Sequence, residues 1–70
     1  MPKEIVDSAA ISAVQYDPTR RHLDIDLTTG RRYRYFDVPA TIHEAFMEAE
    51  SMGRFYNDHI RDEYRFIRLR

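Results

Sequence analysis

The stretch LDIDLTTGRRYRY, residues 23–35, consists of two runs in which apolar or aromatic residues alternate with charged ones, separated by a glycine. Alternation of this kind is typical of strands that are covered on one face only. The stretch therefore predicts an antiparallel hairpin, with one strand at 23–27 and the next at 32–35.

The length of the hairpin loop determines which side chains share a face of the sheet. A two-residue turn at Thr29-Gly30 would mix apolar and charged side chains on both faces. A three-residue loop at 28–30 gives two uniform faces and puts Gly30 at the left-handed position that such loops require. The covered face then holds the apolar and aromatic side chains: Leu23, Ile25, Tyr33 and Tyr35. The outer face holds two oppositely charged cross-strand pairs: Asp26 with Arg32, and Asp24 with Arg34.

The flanking segments predict the other strands. An apolar run at 11–16 predicts a first strand, which ends in a turn at 17–20 because Pro18 suits the second position of a type I turn. The stretch 64–69 has the composition of a short fourth strand. Residues 1–7 are predicted to form a flexible N-terminal tail, and residues 8–70 a single domain.

Two helices are predicted between the third and fourth strands. The first has one apolar stripe at helical spacing: Ile42, Ala45, Phe46 and Ala49. The second is capped by Ser51, and its predicted buried side is formed by Met52, Phe55, Tyr56, His59 and Ile60. The order β-β-β-α-α-(β) predicts an α+β fold, a small antiparallel sheet of three to four strands with two helices packed on one face.

Composition excludes several classes of protein. The 70 residues suffice for one small domain, and a hydrophobic content of 43% favours a folded chain. Eleven basic against 12 acidic residues leave a net charge of -1, which gives no global attraction for nucleic acid. The absence of cysteine excludes disulfides and thiolate zinc sites. No apolar run is long enough to span a membrane and the first residues do not resemble a secretory signal, so we expect a cytoplasmic location.

Short motifs follow one another along the chain: Tyr16-Asp17, Tyr33-Arg34-Tyr35, Val38-Pro39, and Ser51-x-Gly53-x-Phe55-Tyr56-Asn57 followed by Ile60-Arg61. In this order they resemble the KTSC domain, a module found at the C-terminus of some lysyl-tRNA synthetases and as small stand-alone bacterial proteins. The central Tyr33-Arg34-Tyr35 resembles the YxY motif of that family. The resemblance implies an uncharacterised module for which RNA binding has been proposed, and it implies no catalytic residues and no cofactor.

Arginines supply the candidate contacts to nucleic acid. At 31–36 they interleave with aromatic residues, as in single-strand binders, but alternation sends Arg32 and Arg34 to the face opposite the two tyrosines. We therefore interpret Tyr33 and Tyr35 as structural, whereas the two arginines either pair with the aspartates or contact phosphate. The candidate nucleic-acid-binding residues are Arg20, Arg21, Arg31, Arg32, Arg34, Arg65 and Arg68.

The remaining arginines also leave two interpretations open. Arg20, Arg21 and Arg31 have no obvious acidic partner in the predicted sheet, so they are candidates to flank a shallow anion site. The last ten residues hold four arginines against two acidic residues. We favour the interpretation that these charges keep a strand edge from pairing with another sheet over the interpretation that they bind nucleic acid.

The sequence does not predict an enzyme. His22, His43 and His59 lack the spacing of a helical metal site, and we expect His59 in the core and His43 at the surface. Capping explains Ser51 without a nucleophilic role. The leading hypothesis is a small RNA-binding module that contacts tRNA or single-stranded RNA through arginine-phosphate contacts, with no metal and no cofactor. The alternative is a protein-protein interaction or accessory module, and the oligomeric state stays open.

Overall fold

The sheet is built around the hairpin at residues 23–35. A computed structural model describes residues 3–6 and 8–70, and its five strands lie side by side in chain order: β1 (Glu4–Ile5), β2 (Ile11–Asp17), β3 (His22–Leu27), β4 (Arg32–Tyr35) and β5 (Phe66–Arg68). Every neighbouring pair is antiparallel. The chain forms two helices, α1 (Ala40–Glu48) and α2 (Met52–His59), before β5 returns beside β4. The predicted α+β class is confirmed, although the sheet has five strands rather than three to four.

The central hairpin has the predicted register. Ile25 lies opposite Tyr33 and Asp26 lies opposite Arg32, across a loop at 28–30. Gly30 has a φ of 97°, a conformation that strains any residue with a Cβ atom. Its backbone N–H donates to the Leu27 carbonyl at 3.0 Å, which closes the loop.

A β-bulge at Ser12 fits β2 to the core. The register between β2 and β3 shifts between Ile11 and Ala13, so that two residues of β2 oppose one residue of β3. As a result Ile11 and Val14 are both on the core face, whereas Ala13 lies opposite Asp26 on the outer face. The bulge explains why the apolar residues at 11–16 do not alternate strictly.

The two helices cover one face of the sheet, and the core lies between these layers. Its buried side chains come from β2, β3, β4, the segment after β4, and the helical region: Ile11, Val14, Tyr16, Leu23, Ile25, Tyr35, Val38, Phe46, Tyr56 and Ile60. Ser51 caps α2 as predicted, since its hydroxyl accepts a hydrogen bond from the Arg54 N–H at 3.2 Å. The cap fixes the start of the helix that carries Tyr56 into the core.

Part of the predicted flexible tail forms a strand. Glu4–Ile5 pair with β2, and the Lys3 ammonium lies 2.8 Å from an Asp26 carboxylate oxygen. The sequence prediction for these residues was wrong because a two-residue strand is too short to show alternation. Residues 1, 2 and 7 of the predicted tail lie outside the described residues.

The helices are rotated slightly from their predicted orientation. The buried side of α1 extends from Phe46 toward His43 and Met47, which are partly buried, so Ala45 is exposed instead of buried. The buried side of α2 is centred on Tyr56, and His59 at the end of that helix is exposed rather than in the core.

Candidate functional site

The outer face of the sheet carries two bidentate ion pairs. The Arg34 guanidinium donates to the two carboxylate oxygens of Asp24 at 2.8 and 3.0 Å. Arg32 makes the equivalent pair with Asp26, whose other neighbour is Lys3. The hydrogen bond from Arg32 outweighs burial and lowers the pKa of Asp26 to about 2. The carboxylates in turn raise the pKa of both guanidinium groups. Arg32 and Arg34 are therefore engaged with aspartates, and a phosphate would have to displace them.

The end of the sheet at residues 18–21, called here the turn end, holds three of the candidate arginines. Arg20 pairs with Asp17 at 3.3 Å, so the expectation that it lacks an acidic partner was wrong. The Asp17 carboxylate also accepts the backbone N–H of Arg20, which lowers its pKa. The Arg65 guanidinium lies 4.9 Å from the centre of the Phe36 ring. Arg21 is exposed and has a φ of 58°. The turn end thus combines arginines with carboxylate and aromatic partners.

The opposite end of the sheet, called here the loop end, gathers four arginines that form no ion pair with an aspartate or glutamate among residues 3–6 and 8–70. They are Arg31, Arg61, Arg68 and Arg70. Arg61 donates to the Asn57 side-chain oxygen at 3.5 Å, Arg68 to the Arg70 carbonyl at 3.2 Å, and Arg70 to the Gly30 carbonyl at 3.1 Å. Arg31 forms no ion pair with any of the described residues. The neutral oxygens of Asn57 and Gly30 orient Arg61 and Arg70 and leave the positive charge of these guanidiniums available.

A cleft of about 620 Å³ opens at the loop end, between the β3–β4 loop, the start of β2, and α2. Thr28 fixes the loop to the start of β2, because its N–H donates to the Ala10 carbonyl at 3.0 Å and its hydroxyl to the Ala9 carbonyl at 3.1 Å. Gly53 brings α2 against this segment, since a Cβ atom there would lie 3.2 Å from the Ala10 side chain. Arg31 and Arg61 line the cleft, and Asp62 is the one carboxylate that the described residues place there.

The walls of the cleft are aromatic. Tyr33 is half-buried, and its ring meets that of Phe66 edge to face with centroids 5.6 Å apart. At the base, Tyr35 is 1% and Tyr56 is 7% exposed, and their hydroxyls share a hydrogen bond. Burial raises the pKa of Tyr35, which keeps this phenol neutral. Tyr35 therefore belongs to the core, while Tyr33 lies on the same face with part of its ring open to the cleft.

The structure divides the predicted arginine set into three groups. Arg32 and Arg34 lie on the outer face, and Arg20, Arg21 and Arg65 lie at the turn end. Only Arg31 and Arg68 lie at the loop end, where Arg68 is directly opposite Tyr33. The cleft itself was not predicted from the sequence. Its signals there were Gly53 and the pair Ala9-Ala10, small residues that permit the close approach of α2 to the segment before β2.

The histidines do not converge on one site. His22 meets the Phe36 ring edge to face, whereas His43 stacks on Tyr16 with centroids 4.5 Å apart. His43 is partly buried rather than a surface residue as predicted, and this burial lowers its pKa. Among residues 3–6 and 8–70, no three His, Cys, Asp or Glu side chains lie close enough to hold a metal ion.

None of the helices in the described part of the chain is long and apolar enough to cross a membrane.

These features define a small α+β module in which two helices cover a five-stranded sheet and an arginine-rich cleft lies at one end. The chain belongs to the KTSC domain family, whose model matches residues 7–64 and so confirms the resemblance seen in the sequence. The crystal structure of a KTSC domain protein from Yersinia pestis has the same fold. The sequence of that protein is 33% identical to this chain, and the two structures superpose with a TM-score of 0.92. The alignment covers 99% of this chain and 97% of that one.

Relatives of two lengths contain this module. A protein from Tsukamurella paurometabola is 38% identical over 64 residues, which are 91% of this chain and 96% of that protein. A lysine–tRNA ligase from Nostoc sp. is 30% identical over 63 residues, which are 90% of this chain and 11% of the ligase. The family thus includes small proteins of about this length and regions of much longer ligases.

Proposed function

We propose that this chain is an RNA-binding module that contacts phosphates through the arginines of the loop end. The observation that carries the proposal is the grouping of Arg31, Arg61, Arg68 and Arg70 beside an aromatic cleft, where none of them forms an ion pair with an aspartate or glutamate of the described residues. Charge of this kind attracts phosphate without first breaking an ion pair.

The arginines of the outer face contribute less in this proposal. Arg32 and Arg34 are held by two hydrogen bonds each, and their aspartates are largely buried. Replacing a carboxylate by a phosphate there would leave the aspartate without its partner, which is costly. We therefore assign phosphate binding to the loop end rather than to all seven of the arginines that the sequence suggested.

The comparison with ligases supports an RNA partner. The name of the Nostoc relative states an action on tRNA, and a segment similar to this chain forms 11% of its length. A module attached to such an enzyme has RNA within reach. The similarity between that segment and this chain of 70 residues favours RNA as the ligand here too.

Fluorescence anisotropy with a labelled single-stranded RNA of about ten nucleotides, within the usual site sizes of small single-strand binders, tests the proposal. With three or four phosphates contacted, the affinity should fall with salt at a log-log slope of about -2 to -3. Absence of binding at about 100 μM protein and low salt would refute RNA binding, because even non-specific contacts are usually tighter than this.

Two double substitutions of equal charge locate the contact surface. Arg31→Gln with Arg68→Gln should reduce the affinity and bring the salt slope about 1 to 1.5 closer to zero, since each lost phosphate contact contributes about 0.7. The matched control is Arg20→Gln with Arg21→Gln at the turn end, which should leave both quantities nearly unchanged. Equal effects of the two variants would show that net charge alone, rather than the loop end, binds RNA.

A second candidate function, docking of an acidic extended segment of another protein, is favoured by β5. Phe66 and Ile67 are 48% and 47% exposed, and the described residues provide β5 with a strand neighbour on one side only. Arg68 on this strand and Arg65 just before it would attract an acidic partner and repel a second copy. Titration with a synthetic peptide of alternating valine and glutamate, followed by NMR, should shift the β5 amides if this function is correct. Shifts confined to other strands would exclude it.

A further inference from the structure

The base of the cleft offers a hydrogen-bond donor that the protein does not use. The Tyr35 and Tyr56 hydroxyls carry two protons between them, and their mutual hydrogen bond takes only one. Neither hydroxyl is bonded to any other described residue. Both side chains line the cleft and are more than nine-tenths buried, so the second proton has no acceptor among the described residues and is available to a ligand that reaches the base of the cleft. A buried donor of this kind favours a ligand that brings an acceptor oxygen or nitrogen.

The upper part of the cleft offers a ring surface and positive charge. Part of the Tyr33 ring is open, and Phe66 beside it is half exposed. Stacking on such rings favours unstacked nucleobases of any type, since every base has a flat π face. Arg31 and Arg61 lie at the same cleft and provide guanidiniums for a phosphate.

The size of the cleft limits the ligand to one small unit. A volume of about 620 Å³ lies within the range of small-molecule sites, roughly 300 to 1,000 Å³. A duplex is far too wide to enter such a space, whereas a single nucleotide combines the three groups that the cleft recognises: a flat ring, acceptor atoms and a phosphate.

We propose that the cleft receives one unstacked nucleotide of a single-stranded RNA. Its base lies against Tyr33 and Phe66, and its phosphate contacts Arg31 and Arg61. One acceptor atom of the nucleotide accepts a hydrogen bond from the hydroxyl of the Tyr35–Tyr56 pair whose proton is free. This inference rests on the proposed RNA-binding function and adds to it a defined nucleotide site, which predicts a preference for single-stranded over double-stranded RNA.

The decisive substitution is Tyr33→Leu, which removes the aromatic surface but keeps an apolar side chain. The affinity for single-stranded RNA should fall about tenfold, in line with the loss of one base–aromatic stack. The matched control is Phe36→Leu, an aromatic residue beyond the far end of β4, which should change the affinity less than about twofold. Two-dimensional amide spectra of both variants verify that they are folded.

Two further measurements make the test independent of the stability of one variant. Replacing both Tyr35 and Tyr56 by phenylalanine removes the free proton and should weaken binding about threefold to tenfold, the usual range for one neutral hydrogen bond. In the wild-type complex, nuclear Overhauser contacts should join base protons to the Tyr33 ring.

The outcomes separate this inference from the proposed function. RNA binding that depends on Arg31 and Arg68 but is unchanged by Tyr33→Leu, with no contacts to the Tyr33 ring, would overturn the nucleotide site and leave RNA binding intact. Equal affinity for a duplex of the same length would also overturn it. Failure of the wild-type protein to bind any RNA would remove both.

Discussion

Asp26 offers the most quantitative test of the structure, because a single carboxylate of β3 binds both Arg32 of β4 and Lys3, the residue before β1. Its side chain is 8% exposed, and it pairs with Arg32 through both oxygens and with Lys3 at 2.8 Å. Asp26→Asn keeps the shape of the side chain but removes its charge. The substitution should therefore destabilise the folded protein without changing its architecture.

The magnitude follows from the pKa of Asp26, which falls from an ordinary 3.8 to about 2 in the folded protein. Each unit by which the folded and unfolded pKa differ is worth about 1.4 kcal/mol, so the ionised carboxylate stabilises the fold by about 2 kcal/mol at neutral pH. Because the folded-state pKa is lowered, this stability is fully present above pH 4 and is lost as the pH falls toward 2.

Urea unfolding of the wild-type protein and Asp26→Asn, followed by circular dichroism from pH 7 to pH 2, measures this effect. The difference in unfolding free energy should be about 2 kcal/mol at pH 7 and should fall below about 0.5 kcal/mol at pH 2. Glu48→Gln, which neutralises an exposed carboxyl of α1, is the matched control and should stay within about 0.5 kcal/mol of the wild type. A difference for Asp26→Asn that does not vary with pH would refute the role of the ion pairs.

Three further predictions concern the buried hydroxyl pair, the helix start and the hairpin loop. Tyr35→Phe or Tyr56→Phe alone should cost about 1 kcal/mol by leaving one buried hydroxyl without its partner, and the double substitution should cost less than the sum, as a double-mutant cycle in urea will show. Ser51→Ala should cost about 1 kcal/mol, whereas Ser51→Asp, which keeps a capping oxygen, should not; similar losses for both would mean that the cap is unimportant. Gly30→Ala should lower the unfolding free energy by about 1 to 2 kcal/mol because of its positive φ, and a neutral result in thermal unfolding would contradict the loop geometry.

The sheet could be predicted because its side chains sort by charge. Only one loop length places Asp26 opposite Arg32 and Ile25 opposite Tyr33, and the structure has that register. The start of α2 was equally accessible, since a serine before a helical pattern acts through local hydrogen bonds. Both predictions depend only on residues that lie within about ten positions of one another along the chain.

The cleft and the division of the arginines could not be predicted in the same way. Whether Arg20 or Arg31 is neutralised depends on side-chain placement at a turn and at a loop, where no periodicity applies. The cleft joins Ala10, the β3–β4 loop and Arg61, which are far apart in sequence and meet only through the packing of α2. A small rotation of α1 likewise brought His43 onto Tyr16.

The extra residue at Ser12 gives β2 one position at which the chain can lose a residue and keep both faces of the strand. Before this point the strand alternates in one phase and after it in the other, so Ile11 and Val14 reach the same interior. Deleting Ser12 would leave Ile11 opposite Leu27 in a regular ladder and so keep Ile11 in the interior, whereas inserting a further residue here would shift the preceding segment by one position and move Ile11 toward the solvent. We therefore expect this site to accept the loss of one residue more readily than the gain of one.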